Sequence, residues 1–133
     1  MHILFTRPLE DSKEIISRFQ NLGHKVSHLP VLNIIKKKHE EINFSSYSAV
    51  IFTSANSIKY LKSNDIDKNI TCFCVGEATE RKASSFGFQN IFSAEGNVHN
   101  LKEIILRNFS PKNGNLLYVS GETITMELDK KLM

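Results

Sequence analysis

No apolar run in this sequence extends beyond a few residues, whereas a membrane-crossing helix takes about 20. The opening Met1-His2-Ile3-Leu4-Phe5 has neither the basic head nor the long apolar core of a secretory leader. A cytoplasmic chain with no membrane partner is therefore expected. Cysteine is scarce, with Cys72 and Cys74 alone. Two residues apart in an apolar run, they would share one face of a strand, a spacing that does not suit a disulfide. With no further cysteine to complete a zinc site, both read as small core residues. Charge of one sign is also lacking. The net charge is +3 in 133 residues, and the only basic cluster, Lys36-Lys37-Lys38, reads as a solvated linker. No nucleic-acid partner is expected.

Catalytic signatures are missing as well. There is no Gly-x-Gly-x-x-Gly, no Gly-Lys-Ser/Thr phosphate loop and no serine nucleophile elbow. Asp65 and Asp67 fall in a loop before a strand. His2, His24, His28, His39 and His99 show no ligand spacing, so no metal site is expected. Residue chemistry alone identifies no catalytic acid or base.

What is present is an alternation of short apolar runs with longer helical patterns. His2 to Phe5 reads as a buried strand. Pro8 suits a helix start, and Ile15, Phe19 and Leu22 fall at i, i+4 and i+7 as one helical stripe. Gly23 is placed to end that helix, and Lys25 to Leu29 makes the next strand, closed by Pro30. The polar stretch from Asn33 to Ser48 reads as a linker. Ala49 to Phe52 is a strand that runs into the N-cap cluster Thr53-Ser54-Ala55-Asn56-Ser57, and Ile58 with Leu61 predicts a short helix. Thr71 to Val75 is a strand, followed by Gly76-Glu77-Ala78-Thr79 and a helix to about Phe86, with Gly87 as its stop. Gln89 to Phe92, a helix from Gly96-Asn97 carrying Val98, Leu101, Ile104 and Ile105, and a strand over Leu116 to Val119 follow. Ser120-Gly121-Glu122 then opens a last helix with Ile124, Leu128 and Leu132 on one face. This order predicts an α/β fold, a flavodoxin-like doubly wound parallel sheet. The sheet is expected from about Ser48 onward, and the opening βαβ unit is expected to keep a sheet of its own. The last helical pattern reaches Met133 without a cap or a following strand, which predicts a truncated chain.

Ligands of open α/β sheets bind at the carboxyl ends of the strands. The junctions there are Thr6-Arg7, Thr53-Ser54-Ala55-Asn56, Gly76-Glu77-Ala78-Thr79 and Ser120-Gly121-Glu122. Such turns are expected to expose backbone N–H groups that suit an anion, or to serve simply as helix caps. Arg7 is the one arginine among them and is either a carboxylate clamp or a surface residue.

Taken in order, these segments resemble the uroporphyrinogen-III synthase family. The resemblance is carried by Ile3-Leu4-Phe5-Thr6-Arg7-Pro8, then Leu22-Gly23-His24-Lys25-Val26 leading to Leu29-Pro30, then Ile51-Phe52-Thr53-Ser54-Ala55-Asn56-Ser57. It continues through Val75-Gly76-Glu77-Ala78-Thr79, Phe86-Gly87-Phe88, Gly96 with Leu101, and Leu117 to Glu122. The sequence departs from the pattern at His99, a position that is often acidic in the family.

The resemblance implies a two-domain α/β architecture, incomplete here, with the substrate in a cleft. Residues 1–33 would be the opening βαβ part of a discontinuous first domain and residues 34–133 most of the second. It implies a monomer acting on hydroxymethylbilane to give uroporphyrinogen III, with no metal or organic cofactor. Thr6, Arg7, Ser54, Asn56, Gly76, Thr79, Ser120 and Gly121 would bind the substrate. The resemblance puts the family's proposed catalytic tyrosine beyond the next crossover helix, past Met133; Tyr118 would be in the wrong strand to be that residue, and Tyr47 and Tyr60 do not match it. The chain alone is then expected to be inactive and prone to self-association. The competing reading is a non-catalytic flavodoxin-like or receiver-like module that binds an anionic ligand or a partner protein. A receiver, however, needs acidic residues where Thr6-Arg7 and Thr53-Ser54 stand.

Overall fold

The computed structural model describes residues 1–62, 66–121 and 132. The chain divides into two compact units, Met1–His39 and Glu40–Met133, and each has a sheet of its own.

The first unit is a single βαβ. Strand β1 (His2–Phe5) runs parallel to β2 (Lys25–His28), with Ile3 opposite Val26 and Phe5 opposite His28. Helix α1 (Leu9–Asn21) crosses between them, with Pro8 at its N-cap. At its far end the Gly23 amide donates to Gln20 O and the His24 amide to Phe19 O. This is a Schellman closure, and Gly23 at φ +82 supplies the left-handed residue it needs.

The expected stripe of α1 is corrected here. Ile15 is 44% and Leu22 71% exposed, whereas Ser12 is 1% exposed. The inward series is Ser12, Ile16 and Phe19, at the same i, i+4, i+7 spacing but one turn earlier. Phe19 belongs to both series, its ring 6.0 Å from that of Phe5.

The second unit contains β3 (Tyr47–Phe52), α2 (Ala55–Lys59), β4 (Thr71–Val75), α3 (Glu77–Phe86), β5 (Asn90–Ala94), α4 (Val98–Asn108) and β6 (Asn115–Val119). All of its strand pairs are parallel, in the order β5-β4-β3-β6. Strand alternation sends Val50, Phe52, Cys72 and Cys74 into one core cluster with Ile58 and Ala83. Ala49, Ile51 and Phe73 go into the other with Leu101 and Ile105. Helices α2 and α3 therefore cover one face and α4 the other, as the doubly wound reading requires. Both cysteines are fully buried and unpaired, on one face of β4. Strands β3 and β4 are buried on both faces, which explains why they read as continuous apolar runs rather than alternating ones. The last helix expected from Glu122, with Ile124 and Leu128, lies outside the described residues, as does Asp65. Leu132 is half-buried against the second cluster.

Candidate functional site

Because every strand of the second unit runs parallel, the junctions after β3, β4, β5 and β6 share one edge of the sheet. Along that edge stand, in order, Glu95, Gly76, Thr53 and Ser120. The chain leaves β3 toward β4 on one side, and after β5 it crosses back to place β6 on the other side of β3. The winding direction thus reverses between β3 and β6, and a reversal of that kind opens a crevice at the carboxyl ends of the strands. Thr53 and Ser54 flank it on one side, Ser120 and Gly121 on the other.

The side chains at this edge differ in how committed they are. Ser54 is the N-cap of α2, its Oγ accepting the Asn56 amide at 3.2 Å. The Ser57 amide donates to Ser54 O at 3.1 Å. Asn97 does the same for α4, its Oδ1 accepting the amides of His99 at 3.0 Å and Asn100 at 3.1 Å. These caps satisfy part of each helix start and leave the amides of Ala55 and Val98 without an acceptor among the described residues.

Helix α3 is different. Its N-cap is Gly76, which has no side chain to offer. The amides of Glu77, Ala78 and Thr79 find no acceptor among the described residues, as the first turn of an uncapped helix leaves them. Gly76 adopts φ +83 with ψ 151, a conformation open essentially to glycine alone. A Cβ there would meet nothing within 4 Å, so the constraint is the backbone angle rather than space. Two carboxylates oppose an anion at this start. Exposed Glu77, paired with Arg81 at 3.6 Å, and Glu80 both lie in the first turn.

The expectation that the Ser54–Asn56 and Gly76 turns offer free N–H groups is corrected at two amides. The Asn56 amide is taken by Ser54, and the Gly76 amide donates to Ala94 O at 3.0 Å. The amides without an acceptor among the described residues are those of Ala55 in the first turn and of residues 77–79 beyond the second.

The other residues singled out from sequence are placed as follows. Asn56 is half-buried at the start of α2. Thr79 is 4% exposed, in line with buried Ala83 on the inner face of α3, so its amide rather than its hydroxyl is the group near the edge. Ser120 is exposed and its hydroxyl donates to Gly121 O at 3.1 Å. In the first unit, Thr6 and Arg7 form the exposed turn after β1. Thr6 O accepts the Val31 amide at 2.9 Å, and Arg7 O accepts from His28 Nε2 at 2.8 Å, which places the proton on that nitrogen. The backbone of this turn is thereby held, and the Arg7 guanidinium projects from an exposed residue.

Sequence reasoning missed one contact at the crevice. Thr53 Oγ1 lies 3.3 Å from the hydroxyl of Tyr118, on the neighbouring strand β6.

The amides and hydroxyls of this edge suit the holding of an anionic ligand, against which the carboxylates of Glu77 and Glu80 stand. The model of the family described as uroporphyrinogen-III synthase HemD matches residues 13–133. The chain belongs to that family. No curated protein matches it. The uroporphyrinogen-III synthase match takes in the whole crevice, with Thr53, Ser54, Gly76, Tyr118 and Ser120, while Thr6 and Arg7 precede it. Among the described residues, no helix is long and apolar enough to cross a membrane.

Proposed function

We propose that this chain serves the cyclisation of hydroxymethylbilane to uroporphyrinogen III, in cytoplasmic tetrapyrrole biosynthesis. Water is lost from the hydroxymethyl group on ring A, the substituted carbon of ring D attacks the resulting azafulvene to form a spiro intermediate, ring D inverts, and the macrocycle closes. The family match over residues 13–133 is the observation that carries this reading. Atoms balance with one water released, and no oxidant, reductant, metal or organic cofactor is called for. The substrate is a flexible chain studded with carboxylates. Holding it bent converts ring closure into a well-oriented intramolecular step, and positioning of that kind can contribute several kcal/mol, about 7–11 in the best cases. Donors suited to carboxylates are, in the second unit, the amides at 77–79 of α3 and the hydroxyls of Thr53 and Ser120, and, in the first unit taken by itself, the guanidinium of Arg7. We assign residues 1–33 to the opening part of a discontinuous first domain and 34–133 to most of the second. Ser54, Asn56, Gly76, Thr79 and Gly121 shape the binding edge.

The 3 tyrosines of the chain, Tyr47, Tyr60 and Tyr118, do not match the family's proposed catalytic one. The chain by itself is therefore expected to bind the tetrapyrrole without inverting ring D. Two measurements test this. In a titration with uroporphyrinogen III the chain should bind, and Arg7→Ala should weaken binding by about 1.5–3 kcal/mol, the worth of a charge-assisted hydrogen bond. No binding at all would overturn the functional reading, and an unchanged affinity would remove Arg7 from it. The second measurement is incubation with hydroxymethylbilane, which closes on its own to the type I isomer. Type III product above the no-protein control would show that these residues suffice for inversion.

A further inference from the structure

The contact between Thr53 and Tyr118 spans the point where the sheet reverses its winding, and the strand register explains how it arises. Tyr118 stands opposite Ile51 in the β3–β6 pairing, with Phe52 opposite Val119 one step on. Residues opposite each other in register share a face, and so do residues two apart on one strand. Ile51, Thr53 and Tyr118 therefore all face the side covered by α4. Thr53 lies two residues beyond Ile51, about 6.6 Å further toward the carboxyl edge. A tyrosine ring leaning along its strand covers that distance. Its ring packs on the cluster of Ala49, Ile51 and Phe73, and its hydroxyl arrives 3.3 Å from Thr53 Oγ1. A phenylalanine would fill the same volume, so packing alone does not account for the hydroxyl.

We infer that Tyr118 is a positioning residue that orients the Thr53 hydroxyl toward a carboxylate of the tetrapyrrole held in the β3–β6 crevice. The inference rests on the functional reading given above. The phenol is the more acidic of the two hydroxyls and the better donor. With Tyr118 donating to it, Thr53 Oγ1 keeps its own proton for an outside acceptor. A donor that accepts one hydrogen bond while giving another is polarised and gives the second more strongly. The separation is long for a hydroxyl pair, and it should shorten when an anion draws on Thr53. Tyr118 thus acts through Thr53 and does not itself touch the ligand.

The test is a double-mutant cycle on the affinity of this chain for uroporphyrinogen III, with Tyr118→Phe, Thr53→Val and the double variant. Both substitutions conserve volume, and melting temperatures are expected to stay level across the set. Tyr118→Phe and Thr53→Val should each weaken binding roughly two- to tenfold, the worth of one hydrogen bond. The double variant should bind no worse than Thr53→Val. Unchanged affinity in Tyr118→Phe overturns the inference, and so do losses that multiply in the double variant, since Tyr118 would then not act through Thr53. If a variant folds poorly, 3-fluorotyrosine at position 118 keeps the ring and strengthens the donor. Tighter binding supports the relay and unchanged binding overturns it. Failure of the unaltered chain to bind uroporphyrinogen III would instead strike the functional reading, and the inference with it.

Discussion

At the scale of single residues, two buried groups have consequences that can be measured. Cys72 is fully buried in β4, and burial, reinforced by neighbouring Cys74, pushes its thiol from the ordinary 9.0 up to about 12. Cys74 is also raised, by burial first; a hydrogen bond with Ser93 opposes the shift and Glu80 adds to it. A folded value above the unfolded one means that stability is fully held below pH 9.0 and is lost as pH climbs toward about 12. Denaturant melts of the chain and of Cys72→Ala should therefore run parallel in neutral buffer and converge in that alkaline window. The limit for one such group is about 1.4 kcal/mol per pH unit. Parallel curves throughout would contradict the assignment. The second group is Ser12, 1% exposed, whose Oγ has no hydrogen-bond partner among the described residues. Ser12→Ala removes a desolvated hydroxyl and should stabilise the chain by about 1 kcal/mol, read as a higher denaturant midpoint with unchanged slope. The cysteines were legible from spacing alone. The burial of Ser12 was not, because a serine between Asp11 and Lys13 counts as a surface residue until its helix has been turned to face the sheet.

At the scale of elements, caps and stops were the most readable features. Gly23 and Gly87 end α1 and α3 as the sequence indicates, with φ +82 and φ +114. The face of α1 was misjudged for an identifiable reason. The series 15, 19, 22 and 12, 16, 19 share Phe19, and apolarity alone favours the first. The fold selects the second: Ser12 is buried while Ile15 and Leu22 stay exposed, and the shared Phe19 packs on Phe5 in either case. The start of α3 offers a prediction of its own. Gly76→Ala keeps the space open but forces an L-residue into φ +83, a strain of about 1–3 kcal/mol. Thermal melts should show that loss. Because the amides at 77–79 would be displaced with the turn, tetrapyrrole affinity should fall as well. A fully stable, fully binding Gly76→Ala would show that these amides take no part.

At the scale of the whole molecule, the first unit is thinly supported. It has one two-stranded sheet covered by one helix, close to the least that gives independent stability. Leu4, Leu22, Leu29, Val31, Leu32 and Ile35 are each at least 58% exposed. Apolar residues gathered in this way favour association, and both strands of the small sheet are edges. Sedimentation should show the chain associating as its concentration rises, and charges introduced by Leu32→Glu and Ile35→Lys should restore the monomer. A monomer at all concentrations would contradict this.

The sequence by itself determined the alternation of strand and helix, the separation of the opening βαβ from the later sheet, the helix stops, and the Ser/Thr/Gly junctions at the strand ends. Each of these rests on local physics: periodicity, capping and allowed backbone angles act over a few residues. Only the tertiary structure decided the order β5-β4-β3-β6, since nothing local in β6 says that it returns beside β3 rather than continuing past β5. That order creates the crevice, brings the Tyr118 hydroxyl to Thr53, and spends the Gly76 amide on Ala94 of the neighbouring strand β5. Which of several similar turns can still donate to a ligand is a question of partners across strands, and those partners exist only once the sheet has formed.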